Sequence, residues 1–341
     1  MNRRSFLAGA AWALTGIPAA AARQIVDAAG RRVSLPARVA RVADAWHANN
    51  SMVLALGGAD KLVVTTVQAQ RQPWLRRLYP RIARIPAAFN AAGDVNVETL
   101  IGAQPDVVLM AYAGALPRWL GAVTDYGLPV VLMPNSSLAD LQTTARMTGD
   151  ALGERASLLA DRFVQEFAAN IRRVTAVTGR LSPGERPRVL HTASAGILTV
   201  DGRRTVIDDW IVIAGGINAA EVSGYQRPVT LEQVALWNPD VIIVGSAPNQ
   251  QSRRAILGDP RWSEINAVRS GRVYVNPSGA YLWDRHGAEA ALQVLWAAGT
   301  LHPRLFADLD LKGETERFYA RYFHYRLTDD EYRSILNATE P

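Results

Sequence analysis

The sequence predicts an α/β protein of two similar lobes, each built on a mostly parallel central sheet, joined by a single long α-helix with a ligand cleft between them. Three observations carry this expectation. The stretch VNVETLIGAQPDVVLM at 95–110 is echoed by PVTLEQVALWNPDVIIV at 228–244. An offset of 134 residues lays Glu98 on Glu232, Pro105 on Pro239, Asp106 on Asp240 and Val107 on Val241. Short apolar runs alternate with helix-periodic segments in both halves, the order that builds parallel sheets. Between the halves lies a helical pattern over about 138–177, in which Leu152, Ala156, Leu159, Phe163, Phe167, Ile171 and Val174 step by three or four residues along one face.

The chain opens with MNRRSFLAGAAWALTGIPAAAARQ. Its Arg3-Arg4 pair, Phe6-Leu7, modest apolar run and closing alanines resemble a twin-arginine export signal over 1–22. The rival reading is a membrane anchor, but the run is shorter than the roughly 20 residues that cross a bilayer, and Gly9, Gly16 and Pro18 interrupt it. Cleavage after about Ala22 is expected, giving a soluble periplasmic protein. With no cysteine in 341 residues, lipidation at the cleavage point, disulfides and thiolate metal sites are all excluded.

The first lobe, 23–148, reads as a hairpin over 24–33 turned by Gly30, a strand over 38–45, a helix over 52–56 ended by Gly57-Gly58, and a strand over 62–66. Helix 97–103, strand 107–110, helix 117–126 and strand 129–133 follow. The linking segment, 149–180, is the second part of the long helical pattern, broken near 149–153. A coiled-coil dimer would use the same stripe, yet the single stripe, together with Arg172 and Arg173, suits one helix laid across two lobes, and a monomer is expected. The second lobe, 181–341, starts after the LSPGERP linker. It has a strand over 188–192, a helix over 206–214 turned by Gly215-Gly216, the repeat, a strand over 273–275, a helix over 287–298 and a helical tail from 312. Both lobes are Rossmann-like by this order.

Composition narrows the function. With 49% hydrophobic and 20% charged residues, the chain is an ordinary globular protein large enough for two cores. A net charge of +6 raises nucleic acid as a partner, but the arginines are scattered, and no basic stripe, RNA-binding signature or zinc-finger spacing is present. The sequence lacks GxSxG, GxxxxGK[ST] and HExxH, and offers no cysteine nucleophile, so an enzyme is not expected.

The duplicated Glu…Pro-Asp-Val units, the Ile207-Asp208-Asp209-Trp210-Ile211 helix leading to Ala214-Gly215-Gly216-Ile217-Asn218, GRVYVNPSGAYLW at 271–283 and the HPRLFADLD…FYARYF tail resemble the helical-backbone periplasmic binding proteins of iron-siderophore, haem and cobalamin ABC transporters. The resemblance covers essentially the whole processed chain. It implies a rigid pair of lobes with little hinge closure, no intrinsic cofactor, and a metal chelate as ligand, Fe(III)-siderophore first, with haem, a corrinoid, another metal complex or an oxyanion as alternatives. It also implies that Glu98 and Glu232, one on each lobe, dock on arginines of a permease dimer. A glutamate in the first turn of a helix is stabilised by the helix dipole in any case, and Thr230 with Gln233 makes a capping box. A periplasmic sensor on the same fold is the remaining alternative.

In open α/β sheets ligands gather beyond the carboxyl ends of the strands, so the loops there supply the binding candidates. They are Trp46 and His47 after the first strand, Arg71 after the second, Tyr112 after 107–110, Tyr225 and Arg227 before the second repeat, and Tyr281, Trp283, Arg285 and His286 after the last strand. Aromatic rings would pack on a chelator and arginines would neutralise its acids. His191 ends a strand and reads as a hydrogen-bonded structural residue. His47 and His286, from opposite lobes, are the candidates for ligating a metal.

Overall fold

The computed structural model describes residues 23–90, 93–194, 198–245 and 249–341; the expected export signal lies outside them. β1 (Arg23–Val26) and β2 (Arg32–Leu35) form the expected antiparallel hairpin. Its turn is closed by Asp27, whose carboxylate accepts the backbone N–H groups of Ala29 and Arg31 and meets the Arg31 guanidinium at 2.6 Å, while Gly30 takes φ 76°.

The first lobe is a five-stranded parallel sheet of β3 (Val42–Asp44), β4 (Leu62–Thr66), β5 (Ala87–Phe89), β6 (Val107–Tyr112) and β7 (Val130–Pro134), in the order β5-β4-β3-β6-β7. Its middle strands are apolar on both faces because helices cover both. In the second lobe β8 (Arg188–Ser194), β12 (Val241–Val244) and β13 (Val273–Val275) are parallel neighbours. Beyond β8 the sheet turns mixed: β10 (Ile217–Asn218) pairs parallel with its start, while β9 (Thr199–Val200) pairs antiparallel with its end and carries β11 (Arg227–Pro228). The strand order reverses between β3 and β6 in one lobe and between β8 and β12 in the other. A crevice opens at such switch points.

The long helical pattern resolves into helices Leu138–Leu152 and Glu154–Thr178, separated by Gly153 at φ 112°. They cross closely: a Cβ on Gly149 would lie 2.7 Å from that of Ala160, so only glycine fits there. The second helix packs against Leu138–Leu152 of one lobe and Ala290–Leu301 of the other, and one apolar core runs through all three. The lobes are further tied by hydrogen bonds from Ala288 N to Ser51 Oγ (3.0 Å), Leu138 N to Asp209 Oδ2 (2.8 Å), Gln72 Nε2 to the Gly279 carbonyl (3.0 Å) and Trp74 Nε1 to the Thr339 carbonyl (2.9 Å).

One expectation needs correction, and one element was not foreseen. The segment after β4, expected as a loop, is helical over Val67–Arg71 and Pro73–Leu78: Thr66 caps the first by accepting from Ala69 N, and Pro73 opens the second. The β9–β11 ribbon has strands of two residues, too short for a period-two pattern to reveal.

Candidate functional site

The two copies of the repeat fold alike. In each, a side chain caps the helix: Asn96 accepts from Thr99 N at 2.9 Å before Val97–Gly102, and Thr230 accepts from Gln233 N at 3.3 Å before Leu231–Trp237. Each helix ends on a non-glycine residue in the left-handed region, Gln104 at φ 44° and Asn238 at φ 39°, again 134 residues apart. The Pro-Asp turn ties strands together: Asp106 accepts from the backbone N–H groups of Ala40 and Arg41, and Asp240 from that of Arg188, aligning the neighbouring strand. These helices run back against the strands that follow, so their N-termini lie at the carboxyl edges of the sheets. Glu98 and Glu232 stand there exposed, and neither forms an ion pair among the described residues. The Glu232 carboxyl lies below its ordinary value because it accepts from its own backbone N–H and from Thr230.

At the same edges the two lobes meet through aromatic rings. Trp46 follows β3 and packs on His286 of the other lobe, ring centroids 5.8 Å apart; the adjacent His47 packs on Tyr281 at 5.5 Å. Beside them stands Arg285, its guanidinium bound through two nitrogens to Asp201 (2.8 and 3.3 Å) and lying 5.4 Å from the centre of the Tyr225 ring. Tyr225 is itself held, its hydroxyl accepting from Val206 N at 2.9 Å. Six of the sequence candidates, Trp46, His47, Tyr225, Tyr281, Arg285 and His286, therefore form one wall-to-wall cluster.

Electrostatics sort their roles. Burial pulls both histidines below the ordinary imidazole value, His47 with help from the Arg285 charge and His286 down to about 4, so both rings are neutral near pH 7. His286 Nε2 lies 3.2 Å from the Ser137 carbonyl, which only accepts; its proton is spent there, leaving Nδ1 without one. His47 makes no ring hydrogen bond among the described residues and keeps an N–H to offer. Burial pushes the Tyr225 phenol up to about 12 and Tyr281 higher still, so both stay neutral donors. Arg285 is the cation of the cluster: burial works against its charge, but Asp284 and Asp201 more than reverse that.

Behind this wall lie groups that sequence reasoning did not place. Asp201 and Asp284 grip His191 from both sides, and Asp201 also accepts from Gln226 N. Glu289, fully buried, accepts from Ala280 N, Tyr281 N, Trp283 Nε1 and the Tyr319 hydroxyl, and so fixes the segment carrying Tyr281. The glycines were the available signal. A Cβ on Gly245 would sit 2.1 Å from His191 Nε2, and one on Gly279 would collide with Tyr319 and Glu289.

The other candidates fall elsewhere. Trp283 is wholly buried with its indole on Glu289, a core residue with no surface to give a ligand. Arg71 is exposed at the end of its helix, Tyr112 is half-buried on the first lobe's own apolar cluster, and Arg227 is exposed on edge strand β11; none makes a polar contact with the central cluster. His47 and His286 are held in separate ring pairs, and no group of three or more His, Cys, Asp or Glu suited to a metal ion occurs among the described residues.

Comparison with known proteins agrees with this architecture. The curated molybdate-binding protein MolA of Haemophilus influenzae is 27% identical, the match covering 95% of this chain and 97% of the relative. A periplasmic solute-binding protein from Veillonella parvula, of known structure, is 27% identical with a TM-score of 0.79 over 92% of this chain and 97% of that one. The molybdate-bound structure of MolA superposes with a TM-score of 0.79 at 24% identity, over 90% of this chain and 99% of that one. No helix among the described residues is long and apolar enough to cross a membrane. Residues 46–280 match the periplasmic binding protein family, and the chain belongs to it: a solute-binding component of an ABC importer and not an enzyme.

Proposed function

We propose that the cleft captures a compact oxyanion of the molybdate class and delivers it to the importer's permease, with Glu98 and Glu232 as the docking charges. The observation that carries this reading is the closed floor of the cleft. The Trp46–His286 and His47–Tyr281 pairs already bring the two lobes into ring contact beside a single cation, Arg285. A siderophore, haem or corrinoid would have to part those rings across lobes tied by several hydrogen bonds, whereas a tetrahedral anion needs only a cation and a few N–H and O–H donors. Arg285, with guanidinium N–H groups beyond the two donated to Asp201, neutral His47 and the protonated phenols of Tyr225 and Tyr281 supply that set. The name of the MolA relative points to the same chemistry.

Isothermal titration calorimetry on the processed protein tests the reading. Molybdate and tungstate should bind, and Arg285→Gln should weaken both by about tenfold or more, the cost of one charge-assisted contact. Tight binding of a ferric siderophore, haem or a corrinoid with no response to either oxyanion would overturn it.

A further inference from the structure

His191 is fully buried, and its two ring nitrogens lie 2.8 Å from Asp201 Oδ2 and 2.7 Å from Asp284 Oδ2. An ionised carboxylate only accepts hydrogen bonds, so both contacts are satisfied only when both ring nitrogens carry protons. Asp201 then reaches past His191 to Arg285, which faces the cleft beside Tyr225, Tyr281 and His47, while Asp284 ends in the buried ring contact, its Oδ1 without a hydrogen-bond partner among the described residues. Trp210 packs nearly perpendicular to the imidazole, with ring centroids 5.9 Å apart. Two cations, His191 and Arg285, thus face two anions, Asp201 and Asp284. Gly245 is required for the arrangement, because any side chain at that position would occupy the His191–Asp284 bond.

We infer that His191, as a buried imidazolium, is a positioning residue that sets the charge read by the cleft: it cancels one of the two carboxylates behind Arg285, so that the guanidinium presents positive potential to a bound anion. Burial opposes the charge on His191, but the hydrogen bonds it donates to both aspartates, and their charges, outweigh that and raise its pKa above the ordinary imidazole value, and the same ring and Arg285 hold Asp201 below the usual carboxylate range. The inference rests on the oxyanion reading for its ligand. It adds that the anion's charge, and not only its shape, is selected from behind the wall.

The test compares two tetrahedral anions, doubly charged molybdate and singly charged perrhenate, by calorimetry on the wild-type protein, on His191→Gln and on His191→Gln/Asp284→Asn. Losing one positive charge at a fixed distance weakens binding in proportion to ligand charge, so a loss of about tenfold for perrhenate becomes about a hundredfold for molybdate. The double variant, neutral again, should recover most of the molybdate affinity. Equal losses for both anions, or no recovery in the double variant, would show that His191 only holds shape and would overturn the inference. A wild-type protein that binds neither anion would sink the oxyanion reading instead. Nitrogen NMR of His191 then decides its part separately: two protonated ring nitrogens at pH 7.5 agree with the inference, and a singly protonated ring contradicts it.

Discussion

Glu289 shows how much of this site depends on a single side chain out of reach of solvent. Four donors converge on its carboxyl group, yet burial still lifts its pKa to about 7. The native state therefore binds a proton at a pH where the unfolded chain, with a glutamate near 4.3, has lost it. The stability contributed by this group is greatest below that unfolded value and declines as pH rises through about 7. Chemical denaturation of wild type and Glu289→Gln should show a gap that narrows between pH 5 and pH 8; a gap that widens would refute the assignment. Beyond the glycine at 279, which leaves room for its carboxyl group, the sequence did not single out Glu289, because a buried acid is recognisable by donors that arrive from Ala280, Tyr281, Trp283 and a tyrosine 30 residues away. The cluster of Trp46, His47, Tyr225, Tyr281, Arg285 and His286 was legible, since each follows or flanks a strand end where an α/β sheet opens. Trp283 shared that neighbourhood, but a one-dimensional reading cannot tell which way its ring points, and the ring points inward.

At the scale of the element, the repeat is a unit with parts that do different work: a capped helix start, a left-handed exit, an aspartate that aligns the next strand, and the strand itself. The Thr230 cap was legible because a polar residue just before an apolar helical period, with Gln233 three residues on, has few other uses. The left-handed exits at Gln104 and Asn238 were not, since glutamine rarely adopts that conformation. Replacing Thr230 by alanine removes the bond to Gln233 N and should cost about 1 kcal/mol in chemical denaturation. A loss below a few tenths would mean that Leu231–Trp237 is held by packing alone. Helices Val67–Arg71 and Pro73–Leu78 were missed because five- and six-residue helices are too short to display a period, and they are held by residues buried in the core, Ala69 in the first and Trp74 and Leu75 in the second.

At the scale of the whole molecule, the basic character that first suggested nucleic acid has a structural use. Arg23 and Lys61 donate to the last carbonyls of Leu138–Leu152, and Arg41 to those beyond Val97–Gly102. Arg186 serves the end of Glu154–Thr178, Arg188 that of Leu231–Trp237, and Arg272 that of Ala290–Leu301. Cations at helix C-termini complement the dipole and satisfy orphan carbonyls. The opposite edges of the sheets carry the cleft, Glu98 and Glu232. Charge reversal at both glutamates should abolish transport in an assay with the cognate permease while leaving ligand affinity within about twofold, since exposed charges contribute little to a distant site. Lost ligand binding in that double variant would remove the docking assignment. The two-lobed architecture and its family were legible from the duplicated motif, whereas the ligand was not, because pocket width depends on ring contacts between residues some 240 positions apart in the chain, such as Trp46 and His286. The most direct test of the central claim is a crystal structure of the protein soaked with molybdate, with anomalous data collected at the molybdenum edge. One peak within hydrogen-bonding distance of Arg285, beside His47 and Tyr281, is the expected result; no peak in the cleft while the protein binds a bulky metal chelate would contradict it.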